Sequence, residues 1–503
     1  MMDREQLRDR IMGCWIGKAV GGTLGMPFEG CAGPLDVSMA HMAGQMLPND
    51  DLDLQLLWIH VLEQRGRATR AADLAQAAAD HYVCYPDEYG VARWNTWRGL
   101  KPPLTGSHNN AFGDGMGAAI RSEIWACIAA GRPRLAASLA REDALVDHHG
   151  NGVYAEMFLA ALESRCFTSQ DVTDILSAGL EVIPPDCRLA QAVRYVCEGH
   201  ADGHTWSEVR QGVGSAFPSH NFTDVTLNLA FIVMGMLFGA GDVEQALTLA
   251  VNGGMDTDCT GATCGSILGL MQGASGLPDA WRRMAGDEIV FHESLSALPL
   301  PRTLAELTDR TLALHAQWVG LPDAGLEQAT PETAPPIDDP HDWLIFRYAA
   351  DDVLKGEPDA IATAERNPVS ARSAHCRFNG IHLDLSDVVQ RPGDVLYLLT
   401  WLRTDPLPAG GATYLMCCAD AGITVWWDNQ RVLDYHGRHP AIPAFHRTEG
   451  GATVPVSLTA GRWHRLKIRL LCGAGPLTCT AALGDALGRY IHPVRYGYGK
   501  VEA

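Results

Sequence analysis

Residues 320–342, GLPDAGLEQATPETAPPIDDPHD, hold five prolines and neither lysine nor arginine. That composition is a linker's, and the character of the chain changes across it. On the N-terminal side apolar residues recur at three- and four-residue spacing. Ile11, Trp15 and Ala19 share one helical face, Leu54, Leu57, Trp58 and Val61 a second, and Val243, Ala246, Leu247 and Ala250 a third. No convincing strand alternation interrupts them, so residues 3–318 read as helical, with one irregular stretch around Arg93–Gly117. On the C-terminal side the period drops to two. Asp394–Thr400, Thr413–Cys418, Ile423–Trp427, Thr453–Leu458 and Trp463–Leu471 read as short strands separated by Gly, Pro and Asp turns. Short strands at this spacing suggest a β-sandwich. The expected organisation is a helical domain over residues 1–319, a linker over 320–342 and a β-sandwich domain over 343–503.

The whole chain has 503 residues, enough to bury large cores without disulfide or metal staples. With 47% hydrophobic and 19% charged residues, disorder, collagen-like repeats and a coiled-coil rod are excluded. The net charge of −20 argues against binding nucleic acid or anionic lipid, though it suits cation binding. The first residues lack a signal-peptide pattern. The longest apolar stretch, Leu227–Ala240, is broken by Asn228, Gly235 and Gly239 and is too short to span a bilayer. Fourteen cysteines without a CxxC pair fit buried thiols in a reducing compartment, so a cytoplasmic location is expected. Cys417 and Cys418 are adjacent in a strand and point to opposite faces, so they are poorly placed to pair. No GxSxG elbow, HExxH helix or P-loop is present.

Two acidic clusters about 200 residues apart carry the strongest chemical signal. Asn49-Asp50-Asp51-Leu52-Asp53 leads into the helical run Leu54–Glu63, and Met255-Asp256-Thr257-Asp258-Cys259-Thr260 precedes the small-residue helix Gly261–Leu270. Both put carboxylates at a helix N-terminus, where one Asp serves as a cap. Capping does not require two or three mutually repelling carboxylates. A hard divalent cation, Mg²⁺ or Mn²⁺, does call for such a group of oxygens. Metal site and cap both stand as readings of these residues.

Three further stretches qualify. Gly21-Gly22-Thr23-Leu24-Gly25-Met26-Pro27-Phe28-Glu29-Gly30 ends a small-residue helix at a proline and presents Glu29. Its glycines would equally serve close helix packing, with Glu29 solvated. Gly106–Gly117, including Gly113, Asp114, Gly115 and Gly117, feeds a helix expected over Ala118–Ala130. It would cradle an anion or a sugar, or form a tight turn. No strand precedes it, so it is not a dinucleotide-binding fingerprint. Asp147-His148-His149-Gly150 places two histidines side by side, a spacing that suits a helix-end turn at least as well as a metal pair.

Taken together and in order, these stretches resemble the ADP-ribosylglycohydrolase family, which includes the bacterial dinitrogenase-reductase-activating glycohydrolases. The resemblance covers residues ~5–318 and rests on GCWIGKAVGGTLGMPFEG, NDDLDLQ, PPLTGSHNNAFGDGMGAAIRSE, DALVDHHGNGVYAEMFLAA and GGMDTDCTGATCGSILG. It implies a compact, orthogonal all-α bundle with two divalent cations in a cleft. Asp50, Asp51, Asp256 and Asp258 become metal ligands, with Asn49 and Cys259 beside them. Glu29 and Asp51 take the catalytic roles, Glu29 as acid/base or water-orienting group. Gly113, Asp114, Gly115, Gly117 and His148 become substrate contacts.

Three positions depart from the ADP-ribose-cleaving members: Asn49 where Thr is usual, Gly22 where Asp is usual, and Cys259 where Thr or Ser is usual. A thiol is a poor partner for Mg²⁺. Trp94, Trp97 and Gly99–Pro103 also lack an evident counterpart. The C-terminal part resembles jelly-roll modules of carbohydrate-active enzymes, on Ile423–Val432, Val454–Leu458 and Ala460–Leu471. Trp426 and Trp427 would serve sugar stacking or core packing, one of them facing inward.

The expected function is dimetal-dependent hydrolysis of a glycosidic bond to a ribosyl-type sugar. ADP-ribosyl adducts and simpler glycosides are both open as substrates. A non-catalytic sugar or ADP-ribose binder is the alternative, and a purely structural role requires the acidic clusters to be caps. No nucleic-acid or membrane partner is expected, and a homo-oligomer is left open.

Overall fold

The computed structural model describes residues 2–42, 44–47, 50–82, 87–219, 221–291, 295, 297–324, 339–349, 374–388, 391–405, 412–435, 453–473, 477–485, 490–491 and 494–497, with Asp50 described in its backbone alone. They form a helical unit and a β unit.

The described residues hold sixteen α-helices. In chain order they are α1 Arg4–Gly25, α2 Asp50–Arg65, α3 Ala71–His81, α4 Glu88–Trp97, α5 Leu104–Ser107 and α6 Ser122–Ile128. Next come α7 Pro133–Ala144, α8 Asn151–Cys166, α9 Val172–Leu180, α10 Arg188–Ala201 and α11 Trp206–Ala216. The last five are α12 Val225–Phe238, α13 Val243–Val251, α14 Thr257–Gln272, α15 Asp279–Ala285 and α16 Leu304–Trp318. The apolar stripes read from the sequence lie on α1, α2 and α13, and Ile11, Trp15, Leu54, Leu57, Trp58, Val61, Ala246 and Leu247 are buried. Two expectations need correction. The stretch thought irregular is helical as far as Trp97, because α4 continues through Arg93. The helix expected from Ala118 opens as a 3₁₀ turn at Ala119–Arg121 and becomes α-helical at Ser122.

The centre of the unit is an antiparallel pair, α1 against α14. Gly13, Gly17, Gly21 and Gly25 recur every four residues and so line one face of α1. They meet Gly269, Gly265, Gly261 and Thr257 in descending order along α14. A Cβ on Gly17 would lie 1.9 Å from the carbonyl oxygen of Gly265, and one on Gly25 would lie 2.0 Å from that of Thr257. The two backbones touch, and no side chain fits between them. Gly21 and Gly25 of the Gly21–Gly30 stretch therefore serve close packing. Their contact also fixes the register, so the C-terminal end of α1 lies beside the N-terminal end of α14.

The β unit is built from eleven strands among the described residues: β1 Pro340–Tyr348, β2 Ala374–Asn379, β3 His382–Asp384, β4 Val395–Arg403, β5 Thr413–Ala419, β6 Gly422–Trp427, β7 Gln430–Tyr435, β8 Thr453–Val456, β9 His464–Leu471, β10 Thr478–Gly484 and β11 Arg495–Gly497. Of the stretch read as linker, residues 325–338 lie outside the described residues, and β1 opens within it at Pro340. One sheet has the order β2-β1-β11-β4-β9-β6-β7, and the other β3-β10-β5-β8. They share a core: Trp343, Leu396, Leu398, Ile423, Val425, Leu466 and Ile468 from the first sheet pack with Leu383, Leu415, Cys417 and Ala481 from the second. This is the expected sandwich. Trp427 is the inward member of its pair, stacked on His464, while Trp426 is half-buried under the Lys467 ammonium. The thirteen described cysteines are all free thiols, Cys417 and Cys418 included.

Candidate metal centre

The glycine contact sets the geometry of the site. Thr257 Oγ1 donates to the Gly25 carbonyl at 2.8 Å, tying the first residue of α14 to the last of α1. Beyond that tie the two chains run on together. Gly30 N–H donates to Met255 O at 2.9 Å, and Met255 N–H to Cys31 O at 2.7 Å. Glu29 and Asp256, 227 positions apart, thereby become neighbours. The turn that allows this is tight. Gly254 has φ +79° and no room for a Cβ, and Met255 takes φ +70°, a conformation that costs a residue with a side chain ~1–3 kcal/mol.

Asp256 differs from the other aspartates that stand before a helix. Asp224 and Asp242 sit at the N-cap positions of α12 and α13, and each accepts two backbone N–H groups. Asp256 holds the same position on α14 and makes no side-chain cap bond. Its backbone N–H is instead held by Asn228 Oδ1 at 3.2 Å, and Asn228 Nδ2 donates to Phe222 O and Asp224 O.

The carboxylates gather into two groups that share Asp258. Glu29, Asp256 and Asp258 form one, and Asp51, Asp258 and Cys259 the other, with the ligating atoms of each group within 4.8 Å of one another. All are buried except Glu29, which is exposed. The first group is all oxygen and fits a hard cation, while the second replaces one oxygen by sulfur. The donors present thus fit divalent cations. Asn49 lies outside the described residues, as does the Asp50 side chain.

Asp51 is backed by a buried cation. The Lys18 ammonium lies 3.8 Å from Asp51 and 2.7 Å from Glu123. Gln55 Nε2 and Ser266 Oγ also donate to Glu123, at 2.8 and 2.9 Å. Burial alone would push the Lys18 pKa down. Glu123 and Asp51 outweigh it and hold the ammonium charged, above the usual lysine range.

The glycine loop and the histidine turn interlock. Asn110 Nδ2 donates to Gly106 O and to Asp147 O, each at 2.7 Å. Asp114 O accepts from Val225 N–H at 2.9 Å, and its carboxylate accepts from Asn151 N–H, the first residue of α8, also at 2.9 Å. A Cβ on Gly113 would overlap the His149 ring. Gly113, Gly115 and Gly117 are buried and Asp114 is exposed. His148, expected to line a cleft, is fully buried. Nδ1 meets Asp147 at 2.6 Å and Nε2 accepts from Ala118 N–H at 3.3 Å. It stands under the loop as a support.

Below lies Arg121, also buried, donating to Gly117 O, Asp143 and Asp147. Burial pushes the Asp147 pKa up, but Arg121 and His148 outweigh it and hold it below the usual range. Burial raises Asp143 despite Arg121, and raises Glu156 well above the glutamate range with help from Asp143.

Sequence reading missed Lys18, Gln55, Glu123, Arg121 and Asn228. A signal existed for two of them: Lys18 sits within the apolar face of α1, and Asn228 interrupts the apolar run of α12. A lone polar residue inside an apolar helix is costly unless it is partnered.

A helical bundle with an acidic cluster at one end of its central helix pair is the class this unit defines. The family model described as ADP-ribosylglycohydrolase matches residues 3–318, and the chain belongs to that family. An uncharacterized protein of Archaeoglobus fulgidus is 25% identical over 336 residues, covering 63% of this chain and all of the relative. A solved structure titled ADP-ribosylglycohydrolase-related protein complex is 22% identical, with a TM-score of 0.44, covering 62% of this chain and 99% of its own. A β-glucosidase from Kluyveromyces marxianus is 10% identical with a TM-score of 0.18, over 29% of this chain and 14% of its own.

Proposed function

We propose that the helical unit is a dimetal-dependent hydrolase of a glycosidic bond to a ribosyl-type sugar. The observation that carries this reading is the pair of donor groups sharing Asp258, with an exposed Glu29 at their edge. Asp256 and Asp258 with Glu29 would hold one divalent cation, and Asp51 and Asp258 with Cys259 the other. Asp50 and Asn49 are further candidates from the first cluster. Cations bound there supply electrophilic polarisation of the sugar and acidify a water.

The chain's own groups do the rest. Glu29 is the carboxylate of the cluster open to solvent, so the oxygen it does not give to the cation would be placed to orient a water and accept its proton. Lys18 offsets part of the charge that Asp51 and Glu123 bring into the interior. The loop Gly113–Gly117, held from beneath by Arg121, His148 and His149, offers backbone and the Asp114 carboxylate to a substrate. Family membership supports an ADP-ribosyl substrate. The β unit and the departures at Gly22, Asn49 and Cys259 keep a simpler glycoside as the second candidate.

The test is turnover on two substrate panels, with Mg²⁺ or Mn²⁺ and again with chelator. One panel holds ADP-ribosyl-arginine, ADP-ribosyl-serine and O-acetyl-ADP-ribose, and the other nitrophenyl furanosides and pyranosides. Metal-dependent release from the first supports the ADP-ribosyl reading, and release from the second alone assigns the simpler glycoside. No release from either panel, with ADP-ribose bound tightly, would make the protein a binder.

A further inference from the structure

The two donor groups differ in chemistry as well as in place. Glu29, Asp256 and Asp258 offer carboxylate oxygens alone. Asp51, Asp258 and Cys259 offer two carboxylates and a thiol, all three buried. The Cys259 position is fixed. It lies in the first turn of α14, the helix whose glycine face is locked against α1 by backbone contact. The backbone that carries the sulfur is therefore held in place by the central helix pair.

Hard oxygen donors suit Mg²⁺ and Mn²⁺, whereas a thiolate favours softer cations such as Zn²⁺ or Co²⁺. We infer that the centre is chemically asymmetric, with Cys259 as the determinant that makes the Asp51 half select a borderline transition metal while the Glu29 half takes a hard one. This rests on the dimetal reading above. It predicts that the protein is best served by a mixed metal complement, and that magnesium alone fills the Asp51 half poorly. Binding there replaces the thiol proton: the S–H bond is broken, a sulfur–metal bond forms, and the proton goes to buffer.

The experiment is a Co²⁺ titration of the full-length, metal-free protein, followed by absorbance in the near ultraviolet, where thiolate-to-cobalt charge transfer appears. The wild type should bind two equivalents and develop that band with one of them. Cys259→Ser, which keeps the size of the side chain, should bind cobalt without the band. In competition, the preference of that equivalent for Zn²⁺ over Mn²⁺ should fall about tenfold or more in Cys259→Ser. Should the variant fail to fold, Asp51→Asn, which removes an oxygen donor of the same group and keeps the thiol, should weaken the band, and Cys31→Ser, at the exposed thiol beside Gly30, should keep it. Two cobalt ions bound with no thiolate band would overturn the inference and leave the dimetal reading standing. No cobalt bound would overturn both.

Discussion

At the scale of single residues, the site depends on side chains whose chemistry has no substitute nearby. Asp258 belongs to both donor groups, so Asp258→Asn should remove metal binding from both halves, and Asp256→Asn from one. Manganese binding measured by EPR would show this, with far-ultraviolet circular dichroism unchanged. Lys18 makes a different prediction. Replacing it with Met leaves Glu123 and Asp51 buried without their cation, at a cost of ~3–5 kcal/mol, to be read from the denaturant midpoint. Glu156 gives a pH signature. Burial, and then Asp143, raise its folded pKa well above the ordinary 4.5. The folded state therefore binds more protons than the unfolded one between those values. Its contribution is fully present below the unfolded pKa and is lost as pH rises through the folded one. Glu156→Gln should flatten that fall in a series of melting curves from pH 4 upward, and an unchanged slope would assign it to another group.

At the scale of elements, the contact of α1 with α14 does two jobs at once. It brings Glu29 to Asp256, and it leaves no volume for even a methyl group. Gly17→Ala or Gly265→Ala must push the helices apart, which overpacking data put at ~1–3 kcal/mol or more. The same displacement should weaken manganese binding although no ligand is touched. Gly44→Ala, which meets nothing within 4 Å, is the control and should change neither. Much of this level was legible in the sequence. The helical stripes of α1, α2 and α13 and the strands β4, β5, β6, β8 and β9 follow from apolar periods of 3.6 and 2. Both acidic clusters also stood out by charge density alone. What stayed hidden was partnership across distance. The four-residue glycine spacing of α1 says that something approaches closely, but its partner is 232 to 256 positions away. Likewise His148 reads as an available imidazole until Asp147 and the Ala118 N–H are seen to occupy both nitrogens. Lys18 stands out as a charge within an apolar face, but only the fold shows Glu123 beside it.

At the scale of the whole molecule, metal and fold should be linked. A cation that binds the native cluster and not the unfolded chain stabilises by about 2.7 kcal/mol at a hundredfold excess over its Kd. The ligands lie in the helical unit, while the β unit closes its own core between two sheets. Chelation should therefore lower the helical transition in calorimetry. A β transition that moved equally would place a metal ligand in the sandwich.

The most direct test of the central claim is hydrolysis by the metal-stripped protein. Incubated with ADP-ribosyl-arginine and the furanoside panel, stripped wild type should be inactive and should recover when divalent cations are restored, Mn²⁺ or Mg²⁺ together with Zn²⁺ or Co²⁺ for the thiol-bearing half. Asp258→Asn should stay inactive at every metal concentration. Undiminished cleavage by the stripped wild type, or full recovery by Asp258→Asn, would contradict the account.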